Sequence, residues 1–148
     1  MIADLLQEEH VTLDLTAGTR EEAVREIVGR LHLPEAKRFA AAVLAREAVH
    51  TTCMGRGVAF PHARTELVHE IVLGIGRSRA GVAFGENGEL AQLIFVIGVP
   101  QRMVSDYLVC VGGLARLVRD DATRAALLAA ETAPEFVELL RRSSLVLE

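Results

Sequence analysis

Residues 11–15, VTLDL, alternate apolar and polar and predict a short strand. Thr19, with Glu22 three positions on, then precedes REEAVREIVGRL. That is a capping-box pattern, in which each side chain satisfies an exposed amide of the first helical turn. Ala23, Val24, Ile27, Val28 and Leu31 recur at helical spacing and form the stripe this helix would bury. Pro34 opens a second helical pattern, PEAKRFAAAVLAREAV, at a position where the missing amide hydrogen costs little.

The period then changes. GVAF at 57–60 is short and β-like, and it is closed by Pro61, a residue that stops a ladder, with His62 next. IVLGIGRS is a continuous apolar run of strand length. GVAFGENGE carries turn chemistry at Gly85, Asn87 and Gly88. LAQLIFVIGV is apolar on both alternating faces, which predicts a central strand covered on both sides. From about Arg102 onward the helical period returns, broken near RDDAT and ETAPE. Asp121 or Thr123 could cap one of these helices, and Thr132 with Pro134 another. The order of strand, two helices, several strands and closing helices predicts an α/β three-layer sandwich. In it a small mixed β-sheet is flanked by helices on both faces.

Composition narrows the function classes. The 148 residues suit one domain, 1–148, with no internal repeat or linker. Half the residues are apolar and Trp is absent, so the core must be aliphatic. The formal charge of -4, with both signs mixed along the chain, disfavours nucleic acid as a partner. No apolar run reaches the ~20 residues that span a bilayer. The opening MIADLLQEEH lacks the basic-then-apolar order of a secretory signal. A cytoplasmic location without membrane insertion is expected. Cys53 and Cys110 have no CxxC spacing and read as small core hydrophobes in a reducing compartment.

Five histidines remain to be explained. His10 and His32 sit at polar edges of local elements and read as surface residues. His50, Cys53, His62 and His69 are spread over a loop and a strand and match no compact zinc spacing, so no metal is expected. No nucleophile elbow, P-loop or dinucleotide fingerprint occurs. The paired carboxylates Glu21–Glu22 and Asp120–Asp121 lie where a helix dipole favours them.

His62 is different. Gly55, Gly57 and Ala59 leave room beside it, Arg56 and Arg64 flank it, and Arg46 ends the preceding helix. A neutral imidazole is a nucleophile, and guanidiniums stabilise charge spread over phosphoryl oxygens. The residues alone leave two readings open: a structural histidine closing a strand, and a phosphoryl acceptor.

The stretch REAVHTTCMGRGVAFPHAR resembles the active-site segment of the fructose/mannitol-type EIIA domains of the bacterial phosphoenolpyruvate-dependent sugar phosphotransferase system, a group that includes the nitrogen-regulatory EIIA proteins. The shared features are a helix ending in Arg-Glu, a loop with a Gly-x-Gly pair, and a strand closing on Pro-His. LDLTAGTREEAVREIVGRL, LAQLIFVIGVP and LARLVRDDATRAALLAAETAPEFVELL are similar to the family's opening, central and closing elements, so the likeness runs along nearly the whole chain.

The resemblance implies a histidine phosphotransferase component without a cofactor. His62 would take phosphate from the carrier protein HPr and pass it to an EIIB component, or hold it as a signal to a regulatory target. It makes Arg46 a phosphate-holding arginine and Gly55, Gly57 and Pro61 the residues that shape the pocket. Two positions depart from the family. Arg56 stands where Asn is common, adding a cation. Tyr107 stands where the family usually places a second histidine that bonds to the phosphate. A tyrosine hydroxyl can donate one hydrogen bond but cannot become cationic near neutral pH. Tyr107 also shares a helical stripe with Val111, Leu114 and Val118, so packing and phosphate contact both remain open for it. The alternative function is therefore a regulatory protein-binding module with weak or absent phosphotransfer.

Overall fold

A computed structural model describes residues 2–53 and 55–147. Its sheet contains β1 (Val11–Thr12), β2 (Val58–Ala59), β3 (His62–Arg64), β4 (Val72–Ala83) and β5 (Leu90–Val99). The order is β1-β4-β5-β2, with β3 also on β5. β4 and β5 are an antiparallel hairpin, whereas β1, β2 and β3 pair in parallel. The hairpin turns through Gly85 and Gly88, the latter at φ 75°, where the missing Cβ matters.

β5 carries the central position its pattern predicted. Leu93, Phe95, Ile97 and Val99 face one layer and Ile94 and Val96 the other, and all are buried. The first layer comprises α3 (Val104–Arg119), α4 (Asp121–Ala129) and α5 (Ala133–Leu147), packed through Leu114, Leu127, Phe136 and Leu140. The second comprises α1 (Arg20–Gly29) and α2 (Ala36–Val49), packed through Val24, Ile27, Phe39 and Val43. The second layer sits close because the sheet is bare beneath it. A Cβ on Gly76 would lie 2.6 Å from Ile27 Cδ1, and one on Gly98 2.7 Å from the Phe39 ring. The three-layer sandwich is thus the observed architecture.

Local signals translated into structure with instructive shifts. Thr19 caps α1 by accepting from the Glu22 amide at 3.2 Å. Glu22 answers with a carboxylate oxygen on the Thr19 hydroxyl rather than on the backbone amide of a full capping box. The second helix begins at Ala36, with Pro34 in the turn before it. The first strand is shorter than VTLDL, although Leu15 still donates to the Arg77 carbonyl at 2.9 Å. Thr132 accepts from the Glu135 amide at the start of α5.

The cap of α4 is Asp120, not Asp121 or Thr123. Its carboxylate accepts from the Thr123 hydroxyl and amide at 2.8 and 2.9 Å, and these bonds hold its carboxyl below the usual range. A depressed folded-state value means that the cap's contribution is complete above about pH 4 and is lost as pH falls through the folded value. Asp120→Ala is expected to lower the thermal midpoint at pH 7. The gap from wild type should close in acid, and a gap constant from pH 7 to pH 2.5 would refute the assignment.

The largest departure lies just past Pro61, where the ladder that it interrupts is taken up again. β2 and β3 share one register on β5, Val58 opposite Leu93 and His62 opposite Ile97, so the pairing resumes past the proline. The nitrogen and carbonyl of one extended residue face the same side, so the missing Pro61 amide lies toward β5 and the ladder lapses at Phe60 and Pro61. The Pro61 carbonyl still accepts from the Ile97 amide at 3.0 Å. His62 therefore opens a second short strand rather than capping the first.

Candidate functional site

Strand alternation aims His62. Ala63 is buried against the α1–α2 layer, so its neighbours His62 and Arg64 project the other way, toward α3. Phe60, held extended by the following proline, places its carbonyl 2.9 Å from His62 Nδ1. A carbonyl only accepts, so in the neutral ring Nδ1 carries the hydrogen and Nε2 the lone pair.

Among the described residues the partner of Nε2 is the Tyr107 hydroxyl, at 2.9 Å. The rings lie 5.1 Å apart and are tilted by 41°. Burial pushes the Tyr107 phenol up from its ordinary value, and the Arg46 cation pulls against that rise. The phenol is thus protonated at neutral pH and donates to Nε2. Of the two readings left open for Tyr107, packing is observed, and the second gains a contact with the candidate nucleophile.

Two cavities flank the imidazole. One, of about 360 Å³, is lined by Arg46, His62, Arg64 and Tyr107 together with Ala42, Ala63 and Val99. The other, of about 420 Å³, adds His50, Thr51, Thr52 and Cys53 to Arg46 and His62. Arg46 donates to the His50 carbonyl at 2.9 Å, which moors its guanidinium beside the site while leaving it exposed. Two of the three expected arginines therefore share the space around His62.

Arg56 does not join them. Gly55, Arg56 and Gly57 all have positive φ, at 80°, 58° and 77°, a left-handed turn that is unusual for the arginine. The turn sends the Arg56 side chain to the C-terminal end of α3, where it donates to the Arg119 carbonyl at 3.1 Å. It lines a separate cavity with Arg119, Val118 and Phe60. Gly55 and Gly57 act at one remove: Gly57 launches β2 by accepting from the Gln92 and Leu93 amides at 2.7 and 3.0 Å.

One acidic residue at the site, the Glu of the Arg-Glu pair that ends α2, had no role assigned from the sequence. Glu47 lies in the last turn of α2 and is 1 % exposed. Its carboxylate accepts from the Thr52 amide, the Thr52 hydroxyl and the Thr51 hydroxyl at 2.7, 2.8 and 3.0 Å. Thr52 in turn accepts from the Phe60 amide at 3.1 Å. Both cysteines are inert: burial pushes Cys53 up and Cys110 to about 11, so neither is a thiolate at neutral pH. Among the described residues no three His, Cys, Asp or Glu side chains gather as a metal site, and no helix is long and apolar enough to cross a membrane.

Comparison with known proteins places this geometry. Residues 4–143 match the model of the family described as phosphoenolpyruvate-dependent sugar phosphotransferase system, EIIA 2. The chain is similar to the fructose-specific EIIA component of Haloferax volcanii, 30% identical over 131 residues that cover 84% of each protein. It is 27% identical over 146 residues to the fructose-specific EIIABC component of Bacillus subtilis. There the match covers 95% of this chain but only 23% of that longer protein. Among solved structures it resembles the nitrogen regulatory protein IIA-Ntr of Neisseria meningitidis, with a TM-score of 0.87 and 26% identity. That match covers 94% of this chain and 98% of the other.

Proposed function

The chain belongs to the EIIA 2 family of the phosphoenolpyruvate-dependent sugar phosphotransferase system, and on that premise we propose that it is a phosphocarrier whose acceptor is His62. The observation that carries this reading is the Phe60 carbonyl on Nδ1, which leaves Nε2 as the ring's only nucleophilic nitrogen in an arginine-lined space. In the forward step the Nε2 lone pair bonds to phosphorus. The bond from phosphorus to the donor's histidine nitrogen breaks, and its electron pair stays on the donor. Nδ1 keeps its proton throughout. The Tyr107 hydroxyl must turn off Nε2 to admit phosphorus, and it can then donate to a phosphoryl oxygen. Arg46 and Arg64 stabilise the spreading charge.

The donor is HPr in phosphohistidine form, and the acceptor is an EIIB component or a regulatory target. The EIIABC name of the Bacillus relative and the nitrogen-regulatory name of the Neisseria protein support these two destinations. Incubation with phosphoenolpyruvate, enzyme I and a cognate HPr tests the proposal. The native protein should become labelled, and failure to label would overturn it.

A second reading rests on the same 2.9 Å contact. A hydroxyl seated on the attacking nitrogen competes with phosphorus, which suits a regulatory module that exchanges phosphate slowly. Tyr107→Phe separates the two. In a working carrier, loss of a donor to the phosphoryl group should shorten the phosphohistidine lifetime by about fivefold, equivalent to one hydrogen bond of ~1 kcal/mol. In a blocked module the same change should speed labelling, as should Tyr107→His.

A further inference from the structure

Resting on the phosphocarrier reading, we propose that Glu47 and Thr52 are positioning residues that dictate which nitrogen of His62 is free to react. A single line of bonds joins them to the ring. Glu47 takes the one hydroxyl hydrogen of Thr52 at 2.8 Å, so the Thr52 oxygen is left as an acceptor. That oxygen receives the Phe60 amide at 3.1 Å. The carbonyl of the same residue receives His62 Nδ1–H at 2.9 Å. Every donor along the line points the same way, and the order is set by a buried carboxylate that can only accept when ionised.

The coupling is geometric. The Phe60 amide and the Phe60 carbonyl belong to successive peptide planes, so fixing the first limits the rotation of the second. Pro61 has no amide hydrogen and offers no anchor of its own on that side; its carbonyl, on Ile97, holds the far end. Without the Thr52 anchor the Phe60 carbonyl can turn away from the ring. With that carbonyl gone the neutral imidazole populates both tautomers, since the Tyr107 hydroxyl can accept from Nε2–H as well as donate to Nε2. The tautomer with hydrogen on Nε2 has no lone pair there to attack phosphorus. Glu47 and Thr52 touch neither phosphate nor nucleophile. Their contribution is to hold the carbonyl that selects the tautomer.

The test uses the unphosphorylated full chain with ¹⁵N-labelled imidazoles, under alkaline conditions that keep them neutral. Wild type should show Nδ1 protonated and Nε2 bare. Thr52→Val, which keeps the shape but neither accepts nor donates, should draw the two nitrogen signals toward each other. Its labelling rate by phospho-HPr should fall about tenfold or more, the scale of a misplaced reacting group. Thr52→Ser should restore both. Glu47→Gln, whose amide must face a donor, should move them in the same direction and serves if Thr52→Val does not fold. Variants that lose only thermal stability, with tautomer and rate per folded molecule unchanged, would overturn the proposal. Absence of labelling in wild type would strike the phosphocarrier reading instead, because the tautomer is read without phosphate.

Discussion

His62→Gln is expected to take up no label from phospho-HPr, a loss of at least about a thousandfold, on the scale of removing a covalent nucleophile, while folding as the wild type does. The side chain is half-buried at the start of an edge strand, and its two contacts are one carbonyl and one hydroxyl. A glutamine amide can still donate toward the Phe60 carbonyl and offer an oxygen near Tyr107, so the fold loses little. What disappears is the nitrogen lone pair. An amide nitrogen is not a nucleophile, and neither the phenol nor the thiol beside it can take over. The Tyr107 phenol is kept protonated by burial, and Cys53 is a thiol rather than a thiolate. His50, on the adjoining cavity, also has Nδ1 against a carbonyl, that of Thr51 at 3.0 Å, and is the imidazole that could compete, although it is exposed at the end of α2. Residual labelling of the variant with unchanged thermal stability would mean that His50 or another group is an acceptor. Peptide mapping of the label would identify it.

How far this site can be read from the sequence depends on how local each feature is. The Thr19 cap, the hairpin glycines and the apolar alternation of β5 are properties of a few adjacent residues, and they translate directly. Pro61 reads as a strand end, and the ladder does lapse there; that His62 resumes the same register is set by the length of β5, which no neighbouring residue reveals. The run IVLGIGRS reads as a strand that stops at Ser78, whereas β4 continues to Ala83 because Ser78 and Arg79 break the apolar run but not the strand. In the structure a register shift between Arg77 and Val82 absorbs the interruption. Arg56 is close to His62 along the chain and reads as a partner, but the left-handed turn at 55–57 takes it to α3. Glu47 hides for the opposite reason. A glutamate near a helix end reads as solvated, and only the Thr51–Thr52 loop folded over it makes it buried and fully bonded. The family resemblance singles out the proposed acceptor, whereas its tautomer and the contact with Tyr107 come from the geometry.

Far from the site, Arg77→Met should produce the largest loss of stability without altering the chemistry. Arg77 is 1 % exposed, an uncommon setting for a guanidinium, and burial lowers its affinity for the proton. It is retained because it satisfies three backbone carbonyls at once. Nε donates to the Leu13 carbonyl at 3.0 Å, and Nη1 donates to the Leu127 and Ala130 carbonyls at 3.0 and 2.6 Å. The last two belong to the C-terminal end of α4, whose dipole also favours a cation. The Asp14 carboxylate, 3.5 Å away and 83 % exposed, adds little beside these. Methionine fills much of the volume but strands the Leu13 and Leu127 carbonyls and leaves Ala130 to Arg79, and each orphaned acceptor costs ~1–3 kcal/mol. A total of roughly 3–5 kcal/mol is expected in denaturant unfolding, a large part of the ~5–15 kcal/mol that holds a domain folded. Arg77→Lys should recover only part of it, since one ammonium cannot span β1 and the end of α4. Arg79, which donates to the Leu128 and Ala130 carbonyls from an exposed position, is the control, and its alanine variant should lose under about 1 kcal/mol. Because Arg77 lies on β4, across β5 from His62, the folded fraction of Arg77→Met should still label at the wild-type rate. Equal losses at Arg77 and Arg79 would show that the buried acceptors are met by water instead.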